Sequence, residues 1–106
     1  MRKLKFKDAG KASKILKKLQ LRVDEDLNTD NAEALGASLF LKLAENYSNV
    51  ENEVAEFMAD LIEDMTATEF KELELAEVFE YFKQLGQDEG LSSFLSLVGK
   101  MTGENN

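Results

Sequence analysis

The stretch SNVENEVAEFMADLIEDM, residues 48–65, decides the fold class of this chain. Its apolar residues recur every three or four positions, the spacing of one helix face: Val50, Val54, Phe57, Met58, Leu61, Ile62 and Met65. Ser48, followed three residues later by Glu51, has the spacing of a capping box and predicts where the helix starts. The chain contains no proline that would interrupt a long helix.

The helical spacing continues on both sides of this stretch. Upstream, Thr29 or Asp30 is a candidate cap for a helix whose apolar face comprises Ala32, Leu35, Leu39, Phe40, Leu43 and Tyr47. Downstream, Thr66 and Glu69 repeat the capping-box spacing before a short helical turn around Phe70. A further helix, with Gly86 as a left-handed cap, is predicted from the stripe Leu75, Val78, Phe79, Phe82 and Leu85.

The last predicted helix, capped by Asp88, differs from the others because no charged residue occurs from Leu91 to Gly99. By the helical step of roughly 100° per residue, its apolar side chains span an arc of ~160°. A helix of this kind is either deeply buried or part of a protein interface. We therefore treat the apolar arc as a candidate partner-binding surface: Leu91, Phe94, Leu95, Leu97, Val98 and Met101.

The N-terminal residues carry a different pattern. From Arg2 to Lys7 the chain alternates, with Leu4 and Phe6 on one side, which predicts a half-buried strand. Residues 21–23 repeat the alternation briefly and predict a second short strand. Between them, Asp8 is a candidate N-cap for an amphipathic helix with the apolar residues Ala9, Ala12, Ile15, Leu16 and Leu19.

These patterns predict an all-α, mainly helical fold of about five helices, with two short N-terminal strands. The length of 106 residues suits one domain with one modest core. Within it we distinguish a basic N-terminal element in residues 1–23, an acidic helical body in residues 24–102 and a frayed tail in residues 103–106.

Charge is distributed unevenly along the chain. Residues 1–22 contain nine basic and one acidic side chain, whereas residues 23–106 contain four basic and twenty acidic ones. On a helical wheel, one row of lysines forms what we call the basic ridge, Lys7, Lys11, Lys14 and Lys18. A second row forms the acidic ridge, Glu53, Glu56, Asp60, Glu63 and Asp64.

Like charges spaced four residues apart destabilise a helix slightly unless an opposite charge faces them. Both ridges are therefore either ordinary solvated faces or surfaces that meet an oppositely charged partner. We predict that the basic ridge of one copy meets residues 45–69 of the next copy, head to tail, in a homo-oligomer.

Composition removes most catalytic chemistry. The chain has no Cys and no His, so thiolate nucleophiles, His bases and zinc sites built on these residues are unavailable. An alternating acidic segment in residues 24–30 resembles a calcium loop, but the position of its obligatory Gly holds Thr29. We predict no catalytic, metal or cofactor-binding residue, no enzyme activity, and a protein of the reducing cytoplasm that does not span a membrane.

Nucleic-acid binding by the basic N-terminal helix is the alternative function. Lysine ridges alone attract phosphates without sequence preference and in a salt-sensitive way. Arg2 and Arg22 are the only arginines and Phe6 is the only aromatic residue near the basic block, so base readout and stacking are weakly signalled. A small nucleic-acid-binding regulator is therefore the second hypothesis, and membrane binding is disfavoured.

Three stretches together resemble tail assembly chaperones of long-tailed phages and prophages of Gram-positive bacteria. They are KASKILKK at residues 11–18, MTATEFKEL at residues 65–73 and DEGLSSF at residues 88–94. Proteins of that family are mainly helical, self-associate and lack catalytic residues. The resemblance implies a cytoplasmic factor that binds and solubilises the tape-measure protein, helps recruit tail-tube subunits and is absent from the finished virion. Many members also exist in a longer form made by ribosomal frameshifting.

Overall fold

The computed structural model of the chain describes residues 1–21, 27, 28 and 30–103, and the side chains among them through residue 97. The described residues contain six helices: α1 (Phe6–Leu19), α2 (Ala32–Glu45), α3 (Tyr47–Ile62), α4 (Ala67–Lys71), α5 (Leu75–Gly86) and α6 (Glu89–Gly103). The prediction of a small, mainly helical domain is confirmed. Of the predicted frayed tail in residues 103–106, Gly103 is the last residue of α6; residues 104–106 and most of the calcium-like segment lie outside the described residues.

Helix α3 is the centre of the fold. Val50, Met58 and Leu61 are fully inaccessible to solvent, because α1 and α4 pack against this helix. The helix begins at Tyr47 behind Asn46, so the predicted start at Ser48 is wrong, and Met65 lies beyond its end. The capping box of α4 is confirmed: the Thr66 amide donates to the Glu69 carboxylate at 3.0 Å, and the Glu69 amide donates to the Thr66 hydroxyl at 3.1 Å.

Helices α2 and α5 cross in direct backbone contact. A Cβ atom added to Gly36 would lie 2.5 Å from the carbonyl oxygen of Phe82, and one added to Gly86 would meet the backbone of α2. A glycine is therefore required at position 86 for the close approach of the two helices. Gly86 is the last residue of α5 and has no positive φ, so the predicted left-handed cap is wrong. Phe40 packs its ring edge-to-face against the rings of Phe79 and Phe82, with centroids 5.3 and 5.9 Å apart.

The start of α2 also differs from the prediction. Asn31 is its N-cap, and the Asn31 side-chain oxygen accepts a hydrogen bond from the Ala34 amide at 2.8 Å. Asp30 lies one residue too early for this role, and Thr29 lies outside the described residues. Asparagine is among the strongest N-cap residues. A polar cap before α2 was therefore predicted, but at a position one or two residues too early.

The predicted first strand is absent: residues 1–5 are non-helical chain laid across the helical body, and α1 begins at Phe6. The Arg2 amide donates to the Leu61 carbonyl at 2.7 Å, and the Leu4 amide donates to the Asp88 carboxylate at 2.9 Å. Of the second predicted strand only Leu21 is described, and it is not in a strand.

Asp8 explains why a helix replaces the strand. It is not the N-cap of α1 but the third helical residue; its carboxylate accepts the Lys5 amide at 2.7 Å, and its own amide donates to the Lys5 carbonyl at 2.9 Å. The Arg2 guanidinium donates two bonds of 2.8 Å to the same carboxylate and a third to Asp60. This bidentate pair buries Asp8 to 2% exposure and lowers its pKa to about 2.

Candidate functional site

An apolar groove opens where four helices approach one another, and we call it the α2–α5 groove. It lies between the end of α2, the start of α3, helix α4 and the start of α5, and encloses about 310 Å³. Its lining consists of Phe40, Leu43, Ala44, Tyr47, Phe70, Lys71, Leu73, Leu75 and Val78. A volume of this order is large enough for several side chains of a partner.

The side chains at the mouth of the groove are apolar and exposed. Leu75 is 77% exposed at the first position of α5, and Tyr47 is 37% exposed at the first position of α3. The floor is formed by Phe70, which is buried, and by the half-buried Phe40 and Val78. Apolar side chains grouped around a concave surface are typical of a site that a partner covers.

Several exposed acidic residues are next in the sequence to residues that line the groove. Glu45, Glu72, Glu74 and Glu77 are each adjacent to a lining residue and exposed. The one cation in the lining is Lys71, and its Nζ lies 2.6 Å from the Asn52 amide oxygen and 3.7 Å from the Glu51 carboxylate. The groove therefore has an apolar lining whose neighbours in the sequence include exposed glutamates, and one of these, Glu45, lies 3.6 Å from the Lys42 Nζ.

Tyr47 contributes a polar hydroxyl group to the lining of the groove. Burial raises its pKa above the ordinary value for tyrosine, and the nearby Glu51 carboxylate raises it further. The phenol is therefore protonated at neutral pH and can donate a hydrogen bond from the edge of an apolar surface. This pairing of an aromatic ring with one donor is common where proteins bind other proteins.

The predicted partner-binding arc on α6 lies mainly against the core. Leu91 and Leu95 are 5% and 2% exposed, Phe94 is half-buried against the core, and Leu97 is 61% exposed. The side chains of Val98 and Met101 lie outside the described residues. Of the two alternatives open for this helix, deep burial applies to Leu91 and Leu95, and Leu97 is the exposed member among those described.

The two charged ridges approach each other within one chain. Lys18 Nζ lies 2.7 Å from a Glu53 carboxylate oxygen, and this contact lowers the pKa of Glu53. Asp60 of the acidic ridge accepts a bond from Arg2. The remaining ridge residues are at the surface: Lys7, Lys11, Lys14, Glu56, Glu63 and Asp64. Packing of α1 on α3 thus supplies an intrachain partner for part of each ridge.

A second cavity, of about 60 Å³, lies in the core where α1, α2, α3, α5 and α6 meet. Its lining is entirely apolar and includes Ile15, Phe57 and Leu95. A void of this size has room for water but offers no polar group to hold it, and it is far smaller than ordinary ligand sites. The α2–α5 groove is therefore the stronger candidate site.

The groove was not foreseen because the sequence pattern assigned its residues to helix faces. Leu75 falls on the apolar stripe of α5, yet it lies at the helix start, where the neighbouring helices no longer cover it. The sequence feature that could have indicated the groove is Leu73, an apolar residue that lies outside any helix and between two glutamates. Among the described residues, no group of three or more acidic, His or Cys side chains could hold a metal ion.

Within the described ranges, none of the helices has both the length and the apolar character needed to cross a membrane. Comparison of the chain with protein-family models, curated proteins and solved structures produced no match.

Proposed function

We propose that this chain is a tail assembly chaperone of a long-tailed phage or prophage of Gram-positive bacteria. It binds the tape-measure protein through the α2–α5 groove, keeps it soluble in the host cytoplasm and helps recruit tail-tube subunits, without catalysis and without entering the finished virion. The observation that carries the proposal is the exposed apolar groove within a strongly acidic body. The three stretches that resemble this family give the groove its proposed partner.

The groove suits a helical, partly apolar client. An amphipathic helix docks by inserting side chains spaced three and four residues apart into an apolar groove. Leu75 and Tyr47 supply exposed apolar surface at the mouth, and the Tyr47 hydroxyl supplies one directional bond. The client's polar face would stay in water.

The acidic border adds solubility and selectivity. The body carries an excess of sixteen negative charges over residues 23–106, so complexes would repel one another and resist aggregation. The exposed carboxylates beside the groove favour client segments that flank their apolar residues with Lys or Arg. The preferred client is therefore a basic amphipathic helix.

Co-expression with the tape-measure protein tests the proposal. Full burial of a leucine side chain is worth about 1.5–3 kcal/mol, so Leu75→Asn should weaken binding by roughly tenfold or more. Soluble tape-measure protein should fall with this variant. Leu41→Asn is the matched control, because Leu41 is a similarly exposed leucine, at 61%, that does not line the groove.

Equal solubilisation by the Leu75→Asn and Leu41→Asn variants would contradict the groove as the client site. Loss with Leu97→Asn alone would instead assign the client to the exposed side of α6, because Leu97 is 61% exposed there. Failure of the wild-type protein to solubilise the tape-measure protein would contradict the chaperone function itself.

Nucleic-acid binding is the second candidate, supported by the exposed Lys7, Lys11 and Lys14 on α1. Each phosphate contact by a lysine makes binding steeper in salt, so affinity for random duplex DNA should collapse between low and physiological salt. The matched variants Lys11→Gln and Lys14→Gln should reduce that salt slope. No measurable DNA binding at low salt would eliminate this candidate.

A further inference from the structure

Phe6 is the most exposed large apolar side chain described in this protein. It is 94% exposed at the first position of α1, whereas Phe57, Phe70 and Phe82 are at most 6% exposed. A phenylalanine ring held in water loses the free energy that burial would supply, about 1.5–3 kcal/mol. Nothing in the helix start requires an aromatic residue, because the hydrogen bonds there join the Lys5 backbone to Asp8.

Exposed lysines flank Phe6 in the sequence: Lys3, Lys5 and Lys7. Of the acids nearby, Asp8 is buried beneath Arg2, whereas Asp60 and Glu63 are exposed and line a shallow pocket with Lys5 and Lys7. One helical turn further, Gly10 has open space where a side chain would stand, so the surface beside the ring is unobstructed. The N-terminal end of α1 therefore presents an exposed aromatic side chain flanked in sequence by exposed lysines, and we call it the Phe6 knob.

The α2–α5 groove has the opposite shape and the opposite charge. It is concave where Phe6 protrudes and apolar in its lining, and the residues next to that lining in the sequence include the exposed Glu45, Glu72, Glu74 and Glu77. Aromatic side chains inserted into desolvated pockets, with charged pairs around them, are the features that dominate protein interfaces. Knob and groove are thus complementary in shape and charge.

The two features lie at opposite ends of α3, so they do not meet within one chain. The Arg2 amide binds the Leu61 carbonyl, which anchors the knob near the C-terminal end of α3. The groove includes Tyr47, the first residue of α3. A rise of 1.5 Å per residue separates Tyr47 from Leu61 by about 20 Å.

We propose that the α2–α5 groove of one copy binds Phe6 of a second copy, with the lysines around Phe6 facing the carboxylates around the groove. The contact joins different surfaces of the two copies. The copy that supplies the groove still has a free Phe6, and the copy that supplies Phe6 still has a free groove, so further copies can add. This inference goes beyond the chaperone function and does not depend on it. In client-free protein, the groove is then occupied by another copy.

Complementation between two variants tests the contact on the purified protein alone. Phe6→Ser removes the knob and leaves the groove, whereas Leu75→Asn impairs the groove and leaves the knob. Both side chains are exposed, at 94% and 77%, so helical content by circular dichroism should match the wild type. Sedimentation of wild-type protein should show species larger than the 11.9 kDa chain, and each variant alone should sediment as a monomer.

A mixture of the two variants retains one intact knob and one intact groove per pair. It should form a 1:1 dimer that grows no further, and high salt should weaken that dimer because the facing charges are screened. Leu41→Asn should assemble like the wild type. A monomeric wild-type protein, assembly unchanged by Phe6→Ser, or a mixture that stays monomeric would overturn the proposal.

The absence of native cysteine permits a second readout, which holds even if one of those variants folds poorly. Phe6→Cys mixed with Leu75→Cys should form a disulfide-linked dimer of the two variants under mild oxidation. Phe6→Cys mixed with Leu41→Cys should not, because Leu41 does not line the groove. Equal cross-linking at positions 75 and 41 would overturn the proposal.

Discussion

Replacing Gly36 by Ala should destabilise the fold, because α2 and α5 touch at this residue. The added Cβ would lie 2.5 Å from the Phe82 carbonyl oxygen and 2.8 Å from Lys83 Cα. Both are backbone atoms, so no side-chain rotation relieves the contact. Restoring an ordinary separation of at least 3.4 Å requires α5 to retreat by about 0.9 Å, the difference between the two distances.

The cost of Gly36→Ala can be worked from this displacement. Overpacking of a tight site typically costs about 1–3 kcal/mol, and loosened ring contacts between Phe40 and its two partners add roughly 0.5–1.5 kcal/mol. Alanine recovers about 1 kcal/mol of helix propensity relative to glycine. The net loss in unfolding free energy is about 2 kcal/mol, which lowers the melting temperature by roughly 8–16 °C.

Gly10→Ala is the matched control for Gly36→Ala. Gly10 also lies inside a helix, but a Cβ there would meet nothing within 4 Å. The control should therefore gain about 0.5–1 kcal/mol of unfolding free energy. Urea and thermal denaturation followed by circular dichroism measure both variants. If Gly36→Ala were as stable as Gly10→Ala, the close crossing of α2 and α5 would be refuted.

Two further predictions concern the buried ion pair and the core. The pKa of Asp8 in the folded protein is about 2, below its ordinary value of 3.8. Its pairing with Arg2 therefore stabilises the fold fully at pH values above 3.8, and this stabilisation is lost as the pH falls towards 2. The stability difference between wild type and Asp8→Asn should thus shrink by about 2 kcal/mol between neutral and acidic pH in urea titrations, and a constant difference would contradict it. Met58→Ala, at a fully buried position, should cost about 2–5 kcal/mol in the same assay, whereas Leu41→Ala, at 61% exposure, should stay within about 0.5 kcal/mol of wild type. Similar losses for these two variants would contradict the assigned core.

The helices were predictable where one amphipathic stripe determines burial. The spacing of Val54, Met58 and Leu61 identifies both α3 and its buried face, because these residues occur at consecutive helical turns. The Thr66 capping box was equally clear, since both of its reciprocal bonds are local. The helix starts at Asn31 and Asn46 were misplaced by one or two residues, the usual uncertainty of helix ends.

The structure of the N-terminal element could not be predicted from its local sequence pattern. The alternation around Leu4 and Phe6 favours a strand, but a strand needs a neighbour to accept its backbone bonds. Here Arg2 and Leu4 find those bonds on the helical body instead, and Asp8 nucleates a helix. The conformation of this segment depends on hydrogen-bond partners that are distant in the sequence, and a local sequence pattern contains no information about them.

The groove could not be predicted for a related reason. Its residues come from four helices and from Leu73 between two of them, and they converge because Gly36 and Gly86 allow α2 and α5 to touch. A helical wheel describes each face separately and contains no information about where two helices cross. Likewise, the basic and acidic ridges were visible in sequence, but the contact of Lys18 with Glu53 in the same chain required the packing of α1 on α3.

Photo-cross-linking at position 75 tests the central claim that the α2–α5 groove binds a client. A photoreactive phenylalanine analogue would be placed at Leu75 in one strain and at the exposed control Leu41 in another, each co-expressing the tape-measure protein. Mass spectrometry should find tape-measure peptides attached at position 75 and not at position 41. Adducts at both positions alike, or at neither, would contradict the groove as the client-binding site.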